Sequence, residues 1–421
     1  MDTPARRLVT GRSEHTWLPD VGAAIILAGV LGIAVVIGVL DVAKGDVFIY
    51  RSWGNAIVDG GVPYRDVAIE YPPGALPLFI APALVPGLSF GIAFVGMMLA
   101  TAGVLLAAVR RVASELQRCG DFVSFPRLAA AIFIVILGSV AVSRFDLVPA
   151  VLTVISPLLV SNGRHRLGGL ALGAGIAVKL YPAIVLPLVV TYVVRRAGRR
   201  AGVVTAALAL VVVAAAYVPF VLLAWRGVRY SLSVQLARSL EIESLGGALF
   251  VVVHRTFGIP LSKQGHYYDF PGHTAHLIGL VSVAIALTII AGLWIAHARM
   301  PASRASLIRY SAATVAAYVA FGKVLSPQYL LWLVPLVPLV AGRRGRVATV
   351  LLGLACVFTA VAYPHLWDPE LLVDLAPAPL AIIVIRDLLL VGLCAVLAFP
   401  ATSRSRGRAY SNGLELAVPA E

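Results

Sequence analysis

The stretch VGAAIILAGVLGIAVVIGVL, residues 21–40, contains no charged side chain. A helix of about 20 apolar residues can cross the roughly 30 Å hydrocarbon layer of a membrane. Similar runs recur along the chain, whose 421 residues are 60% hydrophobic and 13% charged, with a mean hydropathy of +0.93. A soluble core cannot hold so much apolar surface. The sequence therefore predicts an all-α, polytopic membrane protein.

The apolar runs predict about 12 transmembrane helices in a single membrane domain, residues 19–400. Polar tails at residues 1–18 and 401–421 are expected in the cytoplasm. Two long outer segments, 42–90 and 225–275, are expected to carry short helices that lie along the membrane surface. The predicted spans are 19–41, 91–109, 128–143, 146–161, 167–179, 182–194, 202–224, 276–298, 306–323, 327–341, 347–363 and 378–399.

The formal net charge of +14 raises the question of a nucleic-acid partner. Most of the 34 Lys and Arg residues lie in the short segments that alternating spans place in the cytoplasm. This is the positive-inside distribution typical of membrane proteins. It accounts for the charge and orients the chain with both ends inside, so we expect membrane lipids and no nucleic acid as partners.

Cysteine and histidine give no indication of a metal or disulfide site. The three cysteines fall on a predicted cytoplasmic segment and in two apolar helices, without metal-ligand spacing. His266, His273 and His276 are close in sequence but form no recognisable ligand set. The chain also has no phosphate-binding glycine loop. We therefore expect neither a metal nor another cofactor.

Lys179, Tyr181 and Pro182 separate two apolar runs of about 13 residues, each too short to cross a membrane alone. Proline removes a backbone donor and disfavours helical geometry in the residue before it. Such a break is tolerated at membrane depth only where protein or a water-filled cavity satisfies the backbone. The pattern predicts a half-depth hairpin with Lys179 in a cavity.

The first outer segment, GDVFIYRSWGNAIVDGGVPYRDVAIEYPPG at residues 45–74, has the highest density of candidate functional residues. Asp46 and Tyr50 are four residues apart and share one helical face. Asp46 can cap an interfacial helix or act as a catalytic base, and the spacing alone leaves both open. Glu70 is a second candidate carboxylate. Tyr71 begins a Tyr-Pro-Pro stretch that favours a rigid turn.

Further charged and polar residues lie at the predicted outer ends of the spans. Arg144 and Asp146 can pair with one another or serve a site, and Arg238 to Glu241 has the spacing of an ordinary i, i+3 ion pair. Lys179 and Lys323 lack an acid within one turn in sequence, so a phosphate would suit them. The remaining candidates are Glu243, Gln328 and Tyr329, where Tyr329 could also be an interfacial anchor.

Several short motifs occur in an order that resembles one family. They are Asp46 after the first span, GVPY at 61–64, YPP at 71–73, KLYP at 179–182, RSLEIES at 238–244 and SPQYLLW at 326–332. Together they resemble glycosyltransferase family 87, which has the GT-C fold. The resemblance covers about residues 40–340 and places the motifs on the outer side of the membrane.

The resemblance implies an enzyme of the plasma membrane that transfers a sugar, most often mannose, from a polyprenyl-phosphate donor. The acceptor would be a glycolipid or cell-wall glycan on the extracytoplasmic face. Asp46 matches the presumed general base, which predicts inversion at the anomeric carbon. The expected phosphate ligands are Lys179, Lys323, Arg144 and Arg238, and the expected sugar or acceptor contacts are Tyr50, Tyr64, Glu70, Tyr71, Asp146, Glu243, Gln328 and Tyr329.

A transporter or flippase of lipid-linked sugars is the main alternative, because buried cations and a broken helix pair also occur along substrate pathways. Transporters usually repeat such a break in two related halves. Here the break at Lys179 has no evident counterpart, which favours the enzyme. A non-catalytic scaffold is a third alternative, and it predicts that Asp46 tolerates replacement.

Overall fold

The structure is a computed structural model and describes residues 46–259, 269–270, 272–363 and 375–399. The predicted first span, both predicted tails and His266 lie outside these residues. The described part is predominantly helical, as expected for an all-α protein. Its α-helices are α1 (Asp46–Val58), α2 (Leu76–Ala83), α3 (Phe90–Arg118), α4 (Pro126–Ser143), α5 (Leu147–Ser161), α6 (His165–Val178), α7 (Leu186–Ala197), α8 (Arg199–Ala237), α9 (Leu245–Phe257), α10 (His273–Arg299), α11 (Arg304–Phe321), α12 (Gly342–Ala362) and α13 (Pro377–Ala398).

Among the described residues, 6 helices are long and apolar enough to cross a membrane, namely α3, α4, α8, α10, α12 and α13. They correspond to six of the predicted spans. Together with the apolar composition, they identify a membrane protein. The count of 12 transmembrane helices is not confirmed, because α5, α6 and α7 have only 15, 14 and 12 residues, α11 is not among the six, and the predicted first span lies outside the described residues.

The predicted span at 327–341 is not an α-helix. It forms two 3₁₀ helices, Pro327–Trp332 and Val337–Leu339, that are buried in the bundle. Three prolines, at positions 327, 335 and 338, explain the difference, since each lacks a backbone N–H and obstructs the preceding helical turn. The prediction of a transmembrane α-helix at 327–341 was therefore wrong.

Helix α8 extends beyond the predicted end of its span at residue 224. Ala224 has non-helical backbone angles (φ −148°, ψ 42°), and the helix resumes after this kink and continues to Ala237. The first part of the predicted second outer segment is thus helical. Beyond it, β1 (Leu240–Glu241) pairs antiparallel with β2 (Asp269–Phe270), and α9 lies between them in sequence.

The chain breaks between α6 and α7, where the sequence predicted a break. Helix α6 ends at Val178, Lys179 is extended (φ −155°, ψ 137°), and a 3₁₀ helix covers Tyr181–Val185 before α7 begins. Two glycines allow α6 to pack closely on α8. A Cβ atom at Gly169 would lie 2.4 Å from the Thr205 carbonyl oxygen, and one at Gly173 would lie 2.5 Å from that of Ala209.

Segments that were predicted to share a side of the membrane meet at one end of the bundle. At the predicted inner end, the Arg304 guanidinium donates hydrogen bonds to Glu115 Oε2 and Asn162 Oδ1, each at 2.7 Å. At the opposite end, Gln235 Nε2 donates to the Glu70 carbonyl oxygen at 3.2 Å. The alternation of the predicted segments is therefore consistent with the packing.

Candidate functional site

A cavity of about 620 Å³ lies at the predicted outer end of the bundle. It is bounded by α1, the end of the first outer segment, the breaks after α4 and α6, the end of α8 and the 3₁₀ helix that begins at Pro327. The polar and aromatic residues that line it are Asp46, Tyr50, Trp53, Glu70, Tyr71, Arg144, Lys179, Gln235, Arg238, Ser239, Glu241, Glu243, Ser326, Gln328, Tyr329 and Tyr363.

Asp46 is the first residue of α1 and contributes its carboxylate to the cavity wall. The Tyr50 hydroxyl, one turn later, donates to Asp46 Oδ2 at 3.3 Å, in agreement with the predicted shared helical face. Arg144 forms an ion pair with the same oxygen. An acid in the first turn is also favoured by the helix dipole. The cavity therefore places a carboxylate beside a cation and a phenol.

Arg144 and Asp146 do not pair with one another, although their sequence separation left that pairing open. Arg144 pairs with Asp46 at the cavity wall, whereas Asp146 is only 1% exposed and does not line the cavity. Asp146 Oδ1 accepts hydrogen bonds from Lys179 Nζ and Trp332 Nε1, both at 2.7 Å. At this position, Asp146 is placed to hold other residues rather than to contact a sugar directly.

Lys179 lines the cavity, as the sequence predicted, but it has an acidic partner that sequence distance concealed. Its ion pair with Asp146 joins residues that are 33 positions apart. Lys323, the other predicted phosphate ligand without a local acid, does not line the cavity. Its Nζ donates to the Leu236 carbonyl oxygen at 3.0 Å. The two lysines therefore occupy different environments.

The segment after α8 contributes one cation and two acids. Arg238 and Glu241 form the i, i+3 ion pair that their spacing indicated, and both side chains line the cavity. Glu243 also lines it, and its Oε2 accepts a hydrogen bond at 2.9 Å from Arg386 of α13. Burial raises the pKa of Glu243, while the Arg386 charge opposes that shift. The last predicted span is thus connected to the cavity wall.

Tyr50 and Tyr71 line the cavity within an aromatic cluster. Tyr50 stacks on Phe79 with ring centroids 4.9 Å apart, and Tyr71 meets Phe145 edge to face at 4.9 Å. Burial raises the pKa of Tyr50 well above its ordinary value and that of Tyr71 to about 12. Both phenols therefore stay protonated near neutral pH and act as hydrogen-bond donors rather than as bases.

Tyr64 does not line the cavity, so a direct sugar contact is not available to it in this arrangement. Its backbone has φ of 67°, and its hydroxyl donates to the Tyr71 carbonyl oxygen at 2.7 Å. Helix α8 packs closely against the same turn at Gly227. A Cβ atom at this position would lie 1.7 Å from the Tyr64 carbonyl oxygen. Tyr64 therefore joins the outer segment to α8 and supports Tyr71.

Gln328 and Tyr329 enter the cavity from the 3₁₀ helix that replaces the predicted span. The Ser326 hydroxyl donates to Gln328 Oε1 at 2.6 Å. Tyr329 stacks on Trp332 with ring centroids 4.1 Å apart, and Trp332 stacks on Tyr181 at 4.0 Å. Because Tyr329 is buried, it is not the membrane-interface anchor considered from the sequence.

Sequence reasoning missed several residues of the cavity wall. Trp53 lies one turn after Tyr50 on α1, so helical periodicity could have indicated it. Gln235 lies one turn before Arg238 and could have been found in the same way. Tyr363 follows α12, far from the other motifs, and no local sequence signal indicates its position.

Within the described ranges, no group of three or more His, Cys, Asp or Glu side chains is arranged to hold a metal ion. The polar groups at the cavity are instead carboxylates, guanidinium groups, an ammonium and phenols. This composition suits recognition of an anion and of hydroxyl groups.

The fold and the cavity define a membrane protein with a polar site at one end of its helix bundle. Residues 69–327 match the family described as glycosyltransferase family 87. This match covers more than half of the chain, which therefore belongs to the family and is a glycosyltransferase acting on a sugar donor and an acceptor. The predicted family is confirmed. The search of curated proteins found no match.

The matched range includes Glu70, Tyr71, Arg144, Lys179 and Arg238. Other residues of the cavity wall lie outside it. Asp46 and Tyr50 precede the match, and Gln328 and Tyr329 directly follow it. The assignment of these four residues therefore depends on their position in the cavity.

Proposed function

We propose that the protein transfers a glycosyl residue, mannose in the first instance, from a polyprenyl-phosphate donor to a glycolipid or cell-wall glycan. The observation that carries the proposal is the convergence of Asp46, Arg144, Lys179 and Arg238 on one cavity. A donor of this kind leaves as a phosphate anion, so its departure needs positive charge rather than a strong acid. The three cations supply that charge.

Asp46 is the general base in this proposal. Its carboxylate takes the proton of the attacking acceptor hydroxyl as the new bond forms between that oxygen and the anomeric carbon. The bond from the anomeric carbon to the phosphate oxygen breaks, and the electron pair leaves with the polyprenyl phosphate. One displacement inverts the anomeric configuration. Glu70, also on the cavity wall, is the second candidate for this role.

The ion pair between Asp46 and Arg144 links the proposed base to a proposed ligand of the donor phosphate. A carboxylate that is paired with a guanidinium is a weaker base, because the positive charge favours its ionised form. The donor phosphate is a second anionic partner for Arg144. Donor binding would thus draw Arg144 away from Asp46 and leave the carboxylate to accept the proton of the acceptor.

The remaining cavity residues suit recognition of sugar hydroxyl groups. Tyr71 offers a phenolic donor, and Glu243, Gln328 and the Tyr50 hydroxyl offer oxygen acceptors. Trp53 adds an aromatic side chain to the same wall. The positive-inside distribution supports an extracytoplasmic position for this end of the bundle, and on that face of the plasma membrane a lipid-linked donor would be used without a nucleotide.

The test uses purified protein in lipid vesicles with labelled mannose presented either on polyprenyl phosphate or on a nucleotide. We expect a glycosylated acceptor from the lipid donor alone, with the anomeric configuration opposite to that of the donor. Transfer from the nucleotide donor alone would overturn the proposal. Movement of the lipid donor across the vesicle membrane without transfer would instead favour the flippase.

A further inference from the structure

Asp146 joins three parts of the chain that are distant in sequence. Asp146 lies in the break between α4 and α5, and Lys179 lies in the break after α6. Trp332 is the last residue of the 3₁₀ helix Pro327–Trp332. Asp146 Oδ1 accepts a hydrogen bond of 2.7 Å from each of the other two side chains. The motifs KLYP at 179–182 and SPQYLLW at 326–332 therefore converge on the carboxylate of Asp146.

Lys179 lies between this carboxylate and the cavity. Asp146 does not line the cavity, whereas Lys179 does. Because Lys179 is extended and follows the last residue of α6, its side chain leaves the helix at the break. A lysine ammonium has three N–H donors, and Asp146 accepts one of them. The other donors can serve the oxygen atoms of a ligand.

Aromatic rings surround the Lys179 ammonium. Its Nζ lies between 5.0 and 5.8 Å from the ring centroids of four residues: Tyr71, Phe145, Tyr329 and Trp332. Ring faces attract a cation and keep water away from it. A charge in such surroundings interacts more strongly with an anion than it would in water.

We infer that Asp146 is a positioning residue, which holds Lys179 in its aromatic surroundings so that the ammonium binds the phosphate of the lipid donor. This inference rests on the proposed function and assigns Asp146 a role different from the sugar contact expected from the sequence. An ammonium withdrawn from water needs a charged partner. Asp146 provides that partner from beneath the wall, which leaves the cavity side of Lys179 open to the phosphate.

Trp332 gives the carboxylate a fixed direction. Its indole N–H donates to the same Oδ1 atom as Lys179, and its ring stacks between Tyr181 and Tyr329. Tyr329 in turn lines the cavity. The stacked rings therefore restrict the Asp146 side chain, and through it the ammonium, to one position.

The experiment is a double-mutant cycle of Asp146→Asn and Lys179→Met, with the kinetics measured separately for donor and acceptor. Asparagine retains an oxygen acceptor for Trp332 and removes the charge that holds Lys179. The double variant removes both charges, so it tests the idea even if the single Asp146 variant folds poorly. A short-chain polyprenyl phosphate serves as a competitive probe of the phosphate site.

We expect Asp146→Asn to raise the KM for the donor and the inhibition constant of polyprenyl phosphate by roughly tenfold each, with little change in the KM for the acceptor. Because Asp146 acts through Lys179, the double variant should be no weaker in donor binding than Lys179→Met alone. Glu115→Gln is the matched control, since it also converts an ion-paired carboxylate to an amide, but at the opposite end of the bundle.

Three results would overturn the inference. The first is a loss confined to kcat, the second is a raised acceptor KM, and the third is additive losses of donor affinity in the double variant. Each could occur while wild-type transfer remains intact, so the proposed function would stand. A wild-type protein that neither transfers from the lipid donor nor responds to polyprenyl phosphate would refute the proposed function instead.

Discussion

Replacing Arg386 with methionine tests whether α13 stabilises the wall of the cavity. Arg386 is 1% exposed, and its guanidinium bonds to Glu243 Oε2 at 2.9 Å and to Asp387 Oδ1 at 2.9 and 3.0 Å. Methionine retains an apolar stem but leaves two buried carboxylates without their cation. Removing one partner of a buried ion pair destabilises a protein by about 3–5 kcal/mol. We expect Arg386→Met to lower the free energy of unfolding by that amount.

The loss should depend on pH. Burial raises the pKa of Glu243 in the folded protein, and removing the Arg386 charge raises it further. A carboxyl with a higher pKa in the folded state makes folding less favourable as the pH rises through the interval between its unfolded and folded values. The variant should therefore be closer to the wild type at about pH 5 than at about pH 8.

The assay is unfolding of the purified protein by sodium dodecyl sulfate in mixed micelles, followed by circular dichroism. Arg65→Met is the matched control, because Arg65 pairs with Asp66 at the exposed surface. Exposed ion pairs contribute little to stability. Equal stability changes for the two variants, or a pH-independent loss for Arg386→Met, would refute the role assigned to α13.

Three other substitutions test the cavity and its supports. Gly227→Ala should lower the thermal midpoint of unfolding and the transfer rate, because the added Cβ would lie 1.7 Å from the Tyr64 carbonyl oxygen. Gly96→Ala is the control, since a Cβ at Gly96 would have no atom within 4 Å. Equal midpoints for the two variants would contradict the packing of α8 against Tyr64. Tyr64→Phe should destabilise the protein by about 1 kcal/mol through loss of its hydrogen bond to Tyr71, measured by the same detergent unfolding. Lys323→Met should raise the KM for the donor less than Lys179→Met does. A larger increase for Lys323→Met would indicate that Lys323, and not Lys179, binds the phosphate.

Local patterns in the sequence were sufficient to predict the membrane class and several contacts. Apolar runs indicated helices such as α3 and α4, and the four-residue spacing of Asp46 and Tyr50 predicted a shared face that their hydrogen bond confirms. The break at Lys179 was also predicted, since proline chemistry acts on neighbouring residues. Each of these predictions depends on interactions within a few turns of the chain.

Apolar composition alone could not distinguish a membrane helix from another buried element. The stretch at 327–341 is as apolar as a span, yet it is buried within the protein and its prolines favour 3₁₀ turns. Conversely, α8 continues through the kink at Ala224 into the predicted outer segment 225–275, where only short helices along the membrane surface were expected. Burial and polarity predict environment, whereas the form of the backbone depends also on proline positions and tertiary packing.

Pairing between distant residues was the part that sequence could not supply. Asp146 and Arg144 are two residues apart, but their partners, Lys179 and Asp46, come from other helix ends. Arg386 was not considered, because nothing near it in sequence indicates Glu243. Such pairs depend on which helix ends meet, and helical periodicity carries no information about that arrangement.

The central claim is that Asp46 is the base of a glycosyl transfer, and one comparison tests it most directly. Membranes that carry wild type, Asp46→Asn or Asp59→Asn at matched expression are given labelled polyprenyl-phosphate mannose. Asp59 is an exposed acid just beyond α1, so its variant controls for loss of charge in the same segment. We expect transfer by the wild type and by Asp59→Asn, and none by Asp46→Asn. Equal sugar transfer by all three would contradict the account and would make Glu70 the candidate base.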